Sequence, residues 1–193
     1  MSSRTMLPGV ALCSPFEQGD LDNLCGLYAA VNAVCVTSAP IRPLKPSDAQ
    51  HVLNAGVAYL QRRGWLADAL IDGMSLPRQR AVTQHMGKAA SRMTGITITA
   101  APILPARSML HVHAALDLVA SRLAAGSAVI ACFENTLWHY TVISGMSASR
   151  LYLFDSAGLH WIERRSFGVS GERSQTRHCV SLASLIEVGT VLE

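Results

Sequence analysis

The segment at residues 22–36, DNLCGLYAAVNAVCV, is apolar on almost every side when it is drawn as an α-helix. A helix without a polar face is buried inside a fold and does not lie on its surface. Asp22 is expected to cap this helix, because its carboxylate can accept hydrogen bonds from the amide groups of the first turn. The segment APIRPLKP carries three prolines and is expected to end the helix. The chain is therefore expected to contain a long buried helix.

Three more helices are expected in the first two thirds of the chain. Residues 47–50, SDAQ, have the pattern of a capping box, and apolar residues follow at helical spacing until Gly64 closes the helix. Pro77 opens the next helix, and ITIT at residues 96–99 is typical of a short strand. Residues 112–125 have the apolar spacing of a fourth helix.

After residue 126 the pattern changes to short runs rich in β-branched and aromatic residues, separated by turn formers. Helices followed by an antiparallel meander make an α+β pattern. The last run fits a strand, a helix or both. The five runs lie at residues 127–134, 138–144, 150–155, 160–165 and 178–188.

The length of 193 residues fits one ordinary domain. We therefore expect a single domain over residues 1–193, with a helical half at about 22–125 and a β half at about 127–193. Residues 1–21 lack periodicity and are expected to form an irregular arm, and residues 168–177 a mobile surface loop.

Composition excludes several classes of protein. Hydrophobic residues make up 50% of the chain and charged residues only 15%, and a disordered chain needs the opposite balance. The net charge is +3 without a dense basic run, so no nucleic-acid partner is expected. No run of about 18 apolar residues is present, so no membrane span is expected. Oligomeric state is not readable from these features.

The five cysteines are an odd number, widely spread, and no pair has CxxC spacing. We expect free thiols and a reducing compartment, the cytoplasm, with export as an effector as the alternative. A cysteine in an apolar run usually behaves as a small buried hydrophobic residue. That is the expectation for Cys35, Cys132 and Cys179.

Cys25 differs from these three because it falls in the first turn of the buried helix. The exposed amides and the helix dipole there favour negative charge, and the thiolate is the nucleophilic form of cysteine. Gly26 is expected to let a substrate backbone approach without meeting a side chain. Gln18 lies seven residues before Cys25 and can be either a hydrogen-bond donor to the site or a plain loop residue.

His139 and Asp155 follow the thiol in sequence, in the motifs WHYTV and LYLFDS. Two antiparallel strands joined by a turn can bring them side by side. The carboxylate can then fix the imidazole tautomer, as in a nucleophile–base–acid triad. The alternatives are a histidine satisfied within a strand and an aspartate that caps a turn, with Asn135 as a weaker candidate for orienting the imidazole. Trp138 is expected to line a substrate cleft.

These motifs, CGLYAAVNA after a glutamine, HYTVI and LYLFDSAG, resemble those of the papain-like cysteine peptidases. Closest in style is the bacterial branch that includes the bacteriocin-leader peptidase domains of export transporters. The resemblance covers the order of elements over roughly residues 16–165. It implies a papain-like fold, in which an N-terminal helical part with a buried catalytic helix packs on a C-terminal antiparallel sheet.

The resemblance also implies roles for four side chains. Cys25 would be the nucleophile, His139 the general base and acid, and Asp155 the group that orients His139. Gln18 would supply one oxyanion-hole donor and the Cys25 amide the other. The spacing between Gln18 and Cys25 is one residue longer than is usual in the family.

The expected activity is acyl transfer through a thioester on a peptide or protein substrate, as a peptidase acting on a peptide or isopeptide bond. The alternatives are a glutamine deamidase or transglutaminase with the same triad, and a non-catalytic binding module on a peptidase scaffold. No cofactor is expected. His111-Val112-His113 has a spacing found in some metal sites, but no nearby thiol or carboxylate completes a ligand set, so no metal is expected.

Overall fold

A computed structural model describes residues 4–19, 22–105, 108–135, 137–171 and 176–191. Within these ranges the chain is an α+β fold of five α-helices and nine strands, as the order of sequence patterns predicted. The helices are α1 (Cys25–Ser38), α2 (Pro46–Arg62), α3 (Leu66–Asp72), α4 (Leu76–Thr94) and α5 (Val112–Ala124). The strands are β1 (Thr5–Met6), β2 (Thr97–Pro102), β3 (Ala128–Asn135), β4 (His139–Met146), β5 (Arg150–Phe154), β6 (Trp161–Glu163), β7 (Phe167–Val169), β8 (His178–Val180) and β9 (Ile186–Val191).

Helix α1 is the predicted buried helix, and every residue in it except Tyr28 is buried. It packs against strands β3, β4 and β9 and against helices α2 and α4. The prediction that Asp22 caps it is wrong. The Asp22 carboxylate accepts a hydrogen bond from the Leu24 amide at 3.0 Å, in a local turn, and the helix begins at Cys25. An aspartate bonded to the amide two residues ahead competes with the helix for that segment.

The remaining helices start near the predicted positions, with two differences. In α2 the capping contact joins the Asp48 carboxylate to the Lys45 amide at 3.1 Å, not Ser47 to Gln50. The helix begins at Pro46 because the fixed φ of proline suits the first helical position. Helix α3 was not predicted, since it has seven residues and buries only Ala69, too little for an apolar periodicity.

The sheet has the order β2-β9-β3-β4-β5-β6, and these neighbours are antiparallel. The predicted meander is confirmed as β3 to β6. The final run at residues 178–188 contains β8, a short 3-10 turn and the start of β9. Strand β9 lies between β2 and β3, so it joins the helical half to the meander.

Two segments predicted to be irregular contain strands. In the N-terminal arm, β1 pairs with the far end of β4, with Thr5 opposite Met146. In the predicted mobile loop at 168–177, Gly168 and Val169 belong to the buried strand β7, which runs parallel to β8. A two- or three-residue strand is too short to show alternation in sequence. Residues 172–175 of that loop lie outside the described residues.

None of the helices in the described ranges is long and apolar enough to cross a membrane.

Candidate active site

Cys25 is the first residue of α1 and only 8% of it is exposed to solvent. The first amides of a helix have no partner within the helix, and together with the dipole they form a positively polarised end. The turn made by Asp22 and Leu24 places the thiol at this end. Cys25 lines a cavity of about 350 Å³, so the sulfur lies beside a space that another molecule can enter.

His139 and Asp155 are in direct contact, as the hairpin spacing predicted. The imidazole Nε2 donates a hydrogen bond of 2.7 Å to the Asp155 carboxylate oxygen Oδ1. Val142 in β4 pairs with Phe154 in β5, so the next residue, Asp155, lies opposite Thr141. His139 and Thr141 are two residues apart in the same strand, so their side chains lie on the same face of the sheet. Both members of the pair are buried, with 8% of His139 and 2% of Asp155 exposed.

The second carboxylate oxygen of Asp155 also has partners. Oδ2 accepts hydrogen bonds from the amides of Ala157 at 2.8 Å and Leu159 at 3.2 Å. Burial by itself would raise the pKa of Asp155, but the hydrogen bond and charge of His139 and the Ala157 amide outweigh it and hold the pKa below its usual value. Asp155 therefore both closes a turn and holds the imidazole, so the two alternatives raised for it are not exclusive.

The imidazole of His139 links this carboxylate to the thiol of Cys25. Burial by itself would lower the pKa of His139, but the hydrogen bond to Asp155, the neighbouring thiol of Cys25 and the charges of both raise it to about 9. Because Nε2 is committed to Asp155, Nδ1 is the ring nitrogen left for the sulfur. Three of the predicted site residues, Cys25, His139 and Asp155, are thus brought together, with a hydrogen bond between His139 and Asp155 and the Cys25 thiol close enough to the imidazole to affect its pKa.

Asn135 does not hold the imidazole. It is exposed at the end of β3, opposite His178, and has a left-handed backbone with φ of 69°. Asp155 occupies the position that would orient His139.

Gln18 lies next to the end of β5. The backbone amide of Gln18 donates a hydrogen bond to the Ser156 carbonyl at 3.0 Å, and the Ser156 hydroxyl donates one to the side-chain oxygen of Gln18 at 3.2 Å. The side-chain Nε2 of Gln18 donates to the Asp22 carbonyl at 3.3 Å. Two residues before Gln18, the backbone of Phe16 makes two hydrogen bonds with the buried side chain of Asn32 in α1, one through its amide and one through its carbonyl. The segment before α1 is therefore fixed at two points, and one N–H of the Gln18 side chain is used within the protein.

The prediction that Gly26 lacks a side chain to make room for a substrate is wrong, because the space at this position is taken by other residues of the protein. Gly26 is buried, and a Cβ on it would lie 2.0 Å from Gln79 Oε1 and 2.5 Å from Met74 Cε. Gln79 Nε2 also donates to the Gly26 carbonyl at 2.8 Å. The missing side chain at this position serves the close packing of α1 on α4.

The cavity beside Cys25 has one wall that sequence reasoning missed, the segment at residues 71–76 that joins α3 to α4. The Asn23 side chain, just before α1, fixes the start of this segment by donating hydrogen bonds to the carbonyls of Leu70 and Ile71, at 3.0 and 2.8 Å. Tyr140, in strand β4, fixes the middle of the segment because its hydroxyl donates a hydrogen bond to the Met74 carbonyl at 3.0 Å. The only sequence signal for the Tyr140 contact is its place next to His139.

The other wall is formed by the ends of β3 and β4. Trp138, which was expected to line a substrate cleft, lines this cavity and is 72% exposed. Cys132 also lines it, although it was predicted to be only a core residue. It is 7% exposed, and burial together with nearby negative groups raises the pKa of its thiol to about 12. The thiol of Cys132 therefore stays protonated at neutral pH and is a poor nucleophile, although it lines the same cavity as Cys25.

The remaining cysteines, Cys13, Cys35 and Cys179, are free thiols. In the described part of the chain, no group of three or more histidine, cysteine, aspartate or glutamate side chains is placed to hold a metal ion, and His111 and His113 belong to no such group.

This arrangement can carry out acyl transfer, because a thiol, a proton carrier and an orienting carboxylate lie in sequence at a cavity wall. No protein-family model matches the chain, and no curated protein matches it in sequence.

Proposed function

We propose that the protein is a thiol-dependent peptidase with a papain-like arrangement, which hydrolyses a peptide or isopeptide bond. The observation that carries this proposal is the hydrogen bond between His139 and Asp155 beside the Cys25 thiol, which lies at a helix N-terminus and on a cavity wall. A buried histidine that served only packing would have no need of a neighbouring thiol together with a carboxylate that two backbone amides hold in place.

In the first step the Cys25 thiolate attacks the carbonyl carbon of the scissile bond. A carbon–sulfur bond forms and the carbonyl electron pair moves to oxygen. The Cys25 amide and one N–H of Gln18 are the donors proposed for that oxyanion, and one such donor contributes about 3 kcal/mol to lowering the barrier. His139 gives its Nδ1 proton to the leaving amine as the carbon–nitrogen bond breaks, which leaves a thioester.

In the second step His139 takes a proton from water through the same nitrogen, and the resulting hydroxide attacks the thioester. The carbon–sulfur bond breaks, the acid product leaves, and the thiolate is restored beside the imidazolium. Asp155 keeps the ring oriented in both steps, because Nε2 stays bonded to Oδ1.

The test is incubation with a peptide library followed by mass spectrometry. Peptide-bond hydrolysis adds one water across a cut backbone, whereas glutamine deamidation replaces an amide nitrogen by oxygen without cutting, and transfer to an added amine joins two molecules. We expect cutting by the unmodified protein and none by Cys25→Ala, with Cys13→Ser, which removes a thiol outside the cavity, as the active control.

Deamidation or transfer in place of cutting would replace the peptidase proposal by the second activity of the same triad. If folded Cys25→Ala retains full activity, the thiol mechanism is excluded. If the unmodified protein changes none of the peptides and its Cys25 reacts with alkylating agents no faster than Cys13, a non-catalytic binding module is the better description.

A further inference from the structure

The cavity beside Cys25 carries negative charge on both of its walls. Asp72, at the end of α3, contributes one carboxylate, and Glu134, near the end of β3, contributes the other. Among the described residues that line the cavity there is no lysine, arginine or histidine. Two carboxylates in a concave site with low-dielectric walls produce a local potential that attracts cations.

Glu134 is held in place. The Ser170 hydroxyl, which follows β7, donates a hydrogen bond to its carboxylate oxygen Oε2. A hydroxyl does not neutralise a carboxylate, so this bond fixes the position of the charge and leaves the charge in the cavity wall. Asp72 is exposed and lies between the Ile71 carbonyl, to which Asn23 donates, and the Met74 carbonyl, to which Tyr140 donates.

Two large apolar side chains at the cavity are mostly exposed. Trp138 and Ile71 each have 72% of their surface accessible. Trp138 also has a φ of 44°, a left-handed conformation that is unfavourable for a bulky residue, directly before His139. Such a conformation persists only when the surroundings impose it, and here it leaves the indole beside the catalytic histidine instead of in the core.

An arginine or lysine side chain matches this combination of groups. Its charged end pairs with carboxylates, its flat or ammonium cation binds the face of an indole, and its aliphatic stem packs on an isoleucine. A neutral apolar side chain would use Ile71 and Trp138 but would leave two carboxylates to be desolvated without a partner.

We infer that the cavity beside Cys25 binds a basic side chain of the peptide substrate, and that Asp72, Glu134 and Trp138 determine this specificity. This inference rests on the proposed peptidase function and names the class of its substrate.

The test uses tripeptide chloromethyl ketones, which alkylate an active-site thiol by forming a carbon–sulfur bond and releasing chloride. One residue is varied among arginine, citrulline, norleucine and glutamate, in turn at each position of the peptide. Citrulline has nearly the shape of arginine but no charge. The rate of alkylation of Cys25 is measured by mass spectrometry of the digested protein, and iodoacetamide, which has no side chain, gives the reference rate.

We expect arginine to be preferred over citrulline by at least about tenfold at one position, because each of the two carboxylates in the cavity wall contributes on the order of 1 kcal/mol at a partly solvated site. The double variant Asp72→Asn with Glu134→Gln should bring arginine and citrulline within about twofold of each other. Both substitutions keep an oxygen acceptor, so the Ser170 contact can remain. The matched control is Asp117→Asn, which removes one exposed negative charge on α5, outside the cavity lining.

Equal rates for arginine and citrulline at every position would overturn the inference, as would faster alkylation by the norleucine or glutamate peptide. A preference for arginine that survives in the double variant would also overturn it. These outcomes are distinct from failure of the proposed function, in which Cys25 reacts with iodoacetamide no faster than Cys13. Thermal unfolding of each variant verifies that the fold is intact.

Discussion

Replacing Asp155 by asparagine is expected to lower the pKa of the His139 imidazole sharply. In the structure the hydrogen bond from Nε2 to Oδ1 is 2.7 Å and both residues are buried. The pKa of His139 is raised from the ordinary 6.5 to about 9, which corresponds to about 3 kcal/mol in favour of the imidazolium. Asparagine keeps the shape and an acceptor oxygen but removes the charge.

Cys25 also supports the imidazolium, so the two contributions need separate variants. We expect the pKa of His139 to fall by more than about one unit in Asp155→Asn and by a smaller amount in Cys25→Ala, because the carboxylate is a permanent charge and a thiol is not. The assay is NMR titration of the imidazole Cε1–H signal, with the signal assigned by its loss in His139→Gln.

The same proton changes stability with pH in a defined direction. A raised folded-state pKa means that the folded protein holds the proton more tightly than the unfolded chain. The stabilisation is therefore complete below pH 6.5 and is lost as pH rises through about 9. Between these values the free energy of unfolding should fall by up to about 1.4 kcal/mol per pH unit. His85 and His178, whose pKa values are lowered, affect stability only at lower pH.

Urea unfolding at pH 6.5 and at pH 7.5 measures this slope, because both values lie well below the ordinary cysteine pKa of 9.0 and the thiols then contribute little. His139→Gln should show a much flatter dependence. A His139 signal that titrates near 6.5 in the unmodified protein, or one that Asp155→Asn leaves unchanged, would refute the assignment of Asp155 as the group that holds the imidazole.

Three further predictions concern the surroundings of the site. Gly26→Ala should reduce the free energy of unfolding by about 1–3 kcal/mol, because the added Cβ overlaps Gln79, and urea unfolding should show it. Tyr140→Phe should cost about 1 kcal/mol and raise the susceptibility of the 71–76 segment to hydrogen exchange, since it removes the bond to Met74; unchanged exchange there would contradict the anchoring role. Iodoacetamide at neutral pH should label Cys25 at least about tenfold faster than any other cysteine, measured by peptide mass mapping, and equal labelling would remove the support for an activated thiol.

The larger elements were predictable because their signal lies within each segment. Helix α1 is apolar on all sides, and the runs that became β3 to β6 are bounded by turn residues, so their local patterns determine what they form. Strands β1 and β7 were missed because each is short and depends on pairing with another part of the chain, and helix α3 was missed because it is short and buries only Ala69. A local pattern cannot contain that information.

Within the candidate site, the contact between His139 and Asp155 followed from hairpin geometry, and the position of Cys25 followed from the start of its helix. The cavity could not be predicted, because Asp72 and Glu134 come from elements 62 residues apart in the chain. Gly26 shows the opposite error, because this residue next to Cys25 was given a functional reason, whereas its contact with Gln79 supplies a packing reason.

The position of β9 has a consequence for how the protein is made. This strand is the last along the described chain, yet it lies in the interior of the sheet, between β2 and β3. In a nascent polypeptide that has emerged only as far as β6, β2 has none of its partner strands and one edge of β3 is unpaired. Translation must reach β9 before β2 can join the sheet through it, so the sheet is completed late in biosynthesis.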